Sequence, residues 1–215
     1  MQLHAQDAEI WVSFLDNPNR ETNGVYGFPA SDPSTLTAKK TAPELYFSQG
    51  TGYQDGIIYG MDYKQGFFTA DRYILYSIDT KDWSVTQKDV DKQFAIQETA
   101  NGMDGTVYAQ FADGAIGTMD YQNLKRTNIY TPGRTYAALG VTSVDELYGV
   151  DTDGNLVRIN TANGAETEVG HIGIGISSYK GTTGEIDPVT NRFYLVTSQS
   201  WSEPSALFSV DLISP

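Results

Sequence analysis

Glu146 to Thr152 reads ELYGVDT and Asn155 to Thr161 reads NLVRINT, two short β-prone runs on either side of Asp153-Gly154. Asp-Gly between two such runs is a strong hairpin signal, because a tight turn needs residues that tolerate positive φ. The pair is one copy of a pattern that fills the chain. Its first run recurs as Glu9 to Leu15 (EIWVSFL), Ile57 to Tyr63 (IIYGMDY), Thr106 to Ala112 (TVYAQFA) and Arg192 to Ser198 (RFYLVTS), each built around an aromatic. The aligned aromatics are Trp11, Tyr59, Tyr108, Tyr148 and Tyr194. Its second run recurs as Gly24 to Ala30, Ile74 to Thr80, Ala115 to Tyr121 and Ala206 to Leu212. That series carries the apolar pairs Val25/Phe28, Leu75/Ile78, Ile116/Met119, Leu156/Ile159 and Leu207/Val210, whose second members lie 50, 41, 40 and 51 residues apart.

Between one pair of runs and the next lie a polar strand, such as Ser84 to Lys88 or Glu166 to Val169, and an apolar one, such as Phe94 to Gln97 or Tyr136 to Val141. Four strands per repeat at a period of about 40 to 50 residues is the signature of a β-propeller, with the first strand nearest the axis and a polar fourth strand at the rim. We therefore expect an all-β propeller of about five four-stranded antiparallel blades. The strand count falls short at both ends: the first repeat lacks an innermost strand and the last stops before its rim strand. Either 2–7 supply a closing strand or the natural protein continues past Pro215, so the expected division is a terminal segment 1–8 and one propeller domain over 9–215, truncated at its C-terminus.

The formal charge is −13, with 27 Asp plus Glu against 14 Lys plus Arg. Such a chain repels a nucleic-acid backbone and an anionic lipid surface, so neither is expected as a partner, and no apolar run is long enough for membrane insertion. With no cysteine there are no disulfides, thiolate metal sites or cysteine nucleophiles. The opening MQLHAQDA places Leu3-His4-Ala5 before Gln6, in the manner of the tail of a signal-peptide cleavage site; the alternative is a disordered polar terminus. The expected location is secreted, periplasmic or on the outer cell surface.

Ala8 to Phe14 (AEIWVSF), the run from Glu146 to Asn163 and Gly184 to Tyr194 (GEIDPVTNRFY) resemble the N-terminal propeller-like modules of large secreted surface proteins of Gram-negative gut and oral anaerobes. The resemblance covers the whole chain and implies further C-terminal domains, of fibronectin type III or adhesin-like kind, in the native protein. It carries no activity and no catalytic residue.

No catalytic set stands out. Asp151, Asp153 and Asn155 alternate like half of a calcium loop, but the twelfth position from Asp151 is Ala162 where a bidentate Glu is needed, so a turn is expected and no metal. The two histidines, His4 and His171, are far apart, and His171 with the Gly170 to Gly175 segment is expected near the axis. No cofactor is expected. A propeller glycoside hydrolase, or another carboxylate-based hydrolase, remains the enzymatic alternative, although nothing singles out its acid pair.

The repeated aromatics read as packing, so departures from repetition are where function is sought. They fall between second and third strands: two repeats have tight turns there, whereas Asp16 to Asn23, Lys64 to Arg72 and Gln199 to Ser205 are insertions in blades that neighbour one another in a closed ring. These segments and their flanks contribute Asn17, Arg20, Tyr63, Phe67, Phe68, Asp71, Arg72, Trp201 and Glu203 as the expected ligand-binding set. Aromatic faces beside polar groups suit a glycan, a peptide or a neighbouring domain. The expected function is a non-catalytic binding or adhesion module.

Overall fold

The computed structural model describes residues 8–14, 20–45, 49–66, 71–174, 176, 181–198 and 205–212, with the side chains at 14, 20 and 49 left aside. They form five antiparallel sheets arranged as a five-bladed β-propeller. The first sheet holds β1 (Glu9–Phe14), β2 (Gly24–Pro29) and β3 (Thr37–Thr41). The second holds β4 (Gln49–Gln54), β5 (Ile57–Lys64), β6 (Arg72–Asp79) and β7 (Val85–Val90), and the third holds β8 (Ile96–Asn101), β9 (Val107–Phe111), β10 (Ile116–Asp120) and β11 (Lys125–Tyr130). The fourth holds β12 (Tyr136–Val141), β13 (Leu147–Asp151), β14 (Asn155–Ile159) and β15 (Glu166–His171); the fifth holds β16 (Thr182–Asp187), β17 (Arg192–Thr197) and β18 (Ala206–Asp211). Each sheet is a meander in chain order. The first strands β4, β8, β12 and β16 pack on one another in succession and so define the axis.

The cross-strand register shows that the repeat is structural. Trp11 lies opposite Gly27, Tyr59 opposite Ser77, Tyr108 opposite Thr118, Tyr148 opposite Arg158 and Tyr194 opposite Ser209. In every case the partner is the residue just before the second apolar anchor, so the five aromatics occupy one position repeated around the ring. Gly114 and Gly154, with φ of +86° and +88°, close the tight turns of the third and fourth blades, where a Cβ would be strained.

Apolar residues on both faces of each sheet follow from blade-on-blade packing. Four core clusters fill four successive seams. Val25 and Leu45 meet Ile58 and Ile78 between the first and second blades, and Tyr59 and Leu75 meet Phe111 and Tyr121 between the second and third. Ala100 and Ile116 meet Tyr136 and Leu139 in the next, and Tyr148 and Leu156 meet Ile186 and Phe193 in the last. Each fully buried large side chain contributes about 1.5–3 kcal/mol, so the seams dominate the stability. The rim strands carry polar residues outward, as in β7, where Thr86 to Asp89 are all exposed.

The second seam contains a misfit. Tyr59 and Tyr121 stack with ring centroids 4.4 Å apart and planes within 6°. The Tyr121 hydroxyl is fully buried, has no hydrogen-bond partner among the described residues and lies over Gly52, where a Cβ would come within 3.0 Å of it. An unsatisfied buried hydroxyl costs about 1–3 kcal/mol. Tyr121→Phe keeps the stack and removes the orphan, so it is expected to leave urea stability unchanged or raise it by about 1 kcal/mol. A loss above about 1 kcal/mol would mean that the hydroxyl has a partner.

Two local expectations are corrected. The inner strand of the third blade starts at Ile96, because Asp91 caps a 3-10 turn over Lys92–Phe94 by accepting from the Gln93 N–H, which takes Phe94 out of the strand. His171 ends β15, the rim strand of the fourth sheet, far from the axis; it is exposed, and its ring nitrogens meet the Asp153 carbonyl and the Gly173 N–H. Among the described residues, the first sheet has no counterpart of β4, and the fifth has none of β7.

Candidate functional site

The three insertions join second strands to third strands, β1 to β2, β5 to β6 and β17 to β18. Because the blades repeat with one register, these connections leave the sheets at the same end. Asn17, Phe67, Phe68, Trp201 and Glu203 lie outside the described residues, and of Arg20 only the backbone, which opens a 3-10 turn at Arg20–Thr22, is described.

The described members form two local pairs. The Tyr63 hydroxyl donates to Asp71 Oδ2 at 2.7 Å, and the Gly66 N–H donates to Asp71 Oδ1 at 3.1 Å, so Asp71 ties the base of the β5–β6 connection to its own strand. That shared bond lowers the Asp71 pKa and raises that of Tyr63. Tyr63 stays 41% exposed, with Tyr73 packed beside it at 5.1 Å. Arg72 turns the other way, toward the rim, and holds Asp89 of β7 through Nε at 3.1 Å and Nη2 at 2.6 Å.

At the axis a polar network ties all four first strands. Asn101 of β8 accepts from the Tyr53 N–H of β4 through Oδ1 at 2.8 Å. Its own N–H and its amide nitrogen both donate to Glu185 Oε2 of β16 at 3.0 Å. Glu185 Oε1 accepts from Ile186 N–H at 3.1 Å and from Val141 N–H of β12 at 3.4 Å. Burial outweighs these donors and pushes Glu185 up to about 7. Glu98 of β8 lies nearby; burial also raises it well above the usual carboxylate range, the Thr183 hydroxyl opposes that at 3.3 Å, and the Glu185 charge adds to it.

Asp151, suspected above of a calcium-like pattern, is a turn cap. Its oxygens accept from Asp153 N–H, Asn155 N–H, the Asn155 amide and Arg134 at 2.8–3.0 Å. Burial raises its pKa, and the Asn155 and Arg134 bonds bring it below the ordinary value. Arg134 also pairs with Glu166 at 3.0 Å, whose Oε1 accepts from Tyr130 and Tyr136. No group of three or more metal-binding side chains occurs among the described residues.

The fifth seam differs from the other four. Where the earlier blades fill it with apolar side chains, the fifth and first blades leave a cleft of about 400 Å³ lined by Ser31 and Pro33 after β2 and by Arg192, Tyr194, Leu207 and Ser209. Leu207 occupies the position of Val25, Leu75, Ile116 and Leu156, which are at most 2% exposed, yet it is only half-buried. The repeat analysis treated Tyr194 as packing. The signal available in the sequence was the missing strand at each end, which among the described residues leaves this seam with fewer strands than the others. A second cleft, of about 370 Å³, lies between the fourth and fifth blades beside Glu146, Tyr148, Arg192 and Asp211.

Neither a known protein family nor a curated protein matches the chain. Solved structures do. A structural-genomics protein of unknown function from Bacteroides thetaiotaomicron VPI-5482 shares 16% identity over 94% of this chain and 50% of its own, with a TM-score of 0.51. TolB from Acinetobacter baumannii shares 11% identity over 95% of this chain and 55% of its own, with a TM-score of 0.52. At these identities the likeness is one of fold. The chain spans about half the length of the solved structures it matches.

Proposed function

We propose that the chain is a non-catalytic binding module, working in the periplasm or outside the cell, that grips a glycan, a peptide or a neighbouring domain on the face where its long loops open. The observation that carries this is the break in the repeat. The third and fourth blades close with Asp-Gly turns, whereas the fifth, first and second, neighbours in the ring, carry longer connections, and Tyr63 stands 41% exposed at the base of one of them. Trp201, Phe67 and Phe68 supply the apolar platform of this site; Asn17, Arg20, Asp71 and Glu203 are its polar partners, while Arg72, expected among them, is committed to Asp89 at the rim. A glycan's C–H face against an aromatic ring, with hydroxyls bonded at the edge, fits that composition.

The hydrolase reading has one observation in its favour, the raised carboxylates Glu98 and Glu185. A general acid or nucleophile needs an oxygen free for substrate, and both oxygens of Glu185 are taken by N–H donors from three strands. That is the arrangement of a structural tie, so binding stands first.

Glycan and extracellular-matrix arrays probed with the purified chain test the reading. Trp201→Ala is expected to abolish binding of an array hit while the melting temperature moves by less than about 2 °C. A large drop in melting temperature would make Trp201 a core residue and remove the platform from the proposal.

A further inference from the structure

We propose that the cleft of the fifth seam is a second binding site, on the opposite face from the long loops, that takes a sugar bearing one carboxylate, a hexuronate unit of an acidic glycan. Arg192 is the first reason. The described side chains include five arginines, and four hold a carboxylate: Arg72 with Asp89, Arg126 with Asp113, Arg134 with Asp151 and Glu166, and Arg158 with Glu146. Arg192 has no carboxylate within ion-pair distance among the described residues, although Asp211 is its cross-strand neighbour; its only described bond is to Ser209 Oγ at 3.5 Å. In a chain of net charge −13, an exposed guanidinium that holds no carboxylate among the described residues is a bidentate donor open to a ligand.

The cleft around it supplies the rest. Arg192 and Tyr194 lie on one face of β17 by strand alternation, with Ser209 directly opposite Tyr194 and Leu207 opposite Val196. The Tyr194 ring and Leu207 therefore form an apolar wall beside the guanidinium. Ser209 and Tyr194 bring hydroxyls to its lining, and the Tyr194 hydroxyl has no partner among the described residues. A pyranose presents the complementary chemistry: an apolar C–H face for the ring, hydroxyls for the hydroxyls, and at C6 a carboxylate for the arginine fork. About 400 Å³ is within the range of small-ligand sites and admits two sugar rings.

Charge selects a single carboxylate over a more highly charged anion. Asp211 lines the adjoining cleft that also shares Arg192, and Glu146 there is already paired with Arg158, so a doubly charged phosphate ester would meet the Asp211 carboxylate with one guanidinium to balance it. The hydroxyls of Ser209 and Tyr194 favour a sugar over the carboxylate terminus of a peptide, which brings one anionic group and few hydroxyls.

Titration of the whole chain with digalacturonate, followed by calorimetry or by chemical shifts, tests the site. The expected result is millimolar to micromolar binding that weakens at least tenfold in Arg192→Ala and in Tyr194→Ala, and several-fold in Arg192→Lys, which keeps the charge but loses the fork. Digalactose, the same rings without the carboxylate, should bind at least tenfold more weakly than the acid. Trp201→Ala should leave this affinity unchanged, which separates the site from the loop face. No binding, equal affinity for digalactose, or indifference to Arg192→Ala would each overturn the proposal. So would a blocked tripeptide with a free carboxylate that binds more tightly than the uronate, or Arg192-dependent self-association of the chain, which would make the cleft a protein interface.

Discussion

Asn101→Ala is expected to cost about 2–3 kcal/mol of stability in urea denaturation, a sizeable part of the roughly 5–15 kcal/mol that holds a domain together. Asn101 joins three first strands at once. It accepts from Tyr53 N–H on β4, and it and its backbone donate to Glu185 on β16. Truncation leaves the Tyr53 N–H without its acceptor and strips the Glu185 carboxylate of its side-chain donor. The blade cores themselves lose no apolar contact, so the effect isolates the axial tie. Asn123→Ala serves as the control, because Asn123 donates to Asp120 in an exposed turn and should cost less than about 1 kcal/mol. Equal small losses in both variants would mean that packing alone holds the ring.

Stability is expected to fall as pH rises from about 4.5 to about 7. Glu185 has a folded-state pKa near 7 against 4.5 for the free group, with burial as its main cause. The folded chain therefore holds more protons than the unfolded chain in that interval, and the linkage slope is negative: the stabilising contribution is complete below pH 4.5 and is lost as pH passes through the folded pKa. A shift of this size corresponds to about 3 kcal/mol, and Glu98, raised in the same direction, adds to it. Below pH 4 the sign reverses, because Asp151 is depressed by Asn155 and Arg134, which outweigh its burial, and loses its contribution on protonation. Stability should therefore peak on the acid side of neutrality. Urea midpoints across pH 4 to 8 check this, and Glu185→Gln should make the slope shallower, leaving the part that Glu98 contributes. A profile unchanged in Glu185→Gln would place the titrating group elsewhere.

The fold was legible because each blade states itself twice, in an aromatic on the second strand and an apolar pair on the third, and both series share one phase. Register confirmed that equivalence at Trp11, Tyr59, Tyr108, Tyr148 and Tyr194. The axial tie was not legible. Asn101 and Glu185 are 84 residues apart, and nothing in a polar residue on an inner strand tells which strand its side chain will reach. Tyr194 was legible as a repeat member and for that reason was read as core; whether a repeated position is buried depends on the blade that follows it, which is a property of the ring and not of the segment. His171 was misplaced because glycines flanking it suggested close backbone approach, whereas those glycines end a rim strand.

The claim that this propeller binds without transforming is tested most directly by recovering an array-selected glycan after prolonged incubation with the chain and weighing it by mass spectrometry. The account predicts an intact glycan, released unchanged from a saturable complex, in the wild type and in Glu185→Gln alike. Shortened products that appear with the wild type and vanish with Glu185→Gln would contradict it and make the axial carboxylates catalytic.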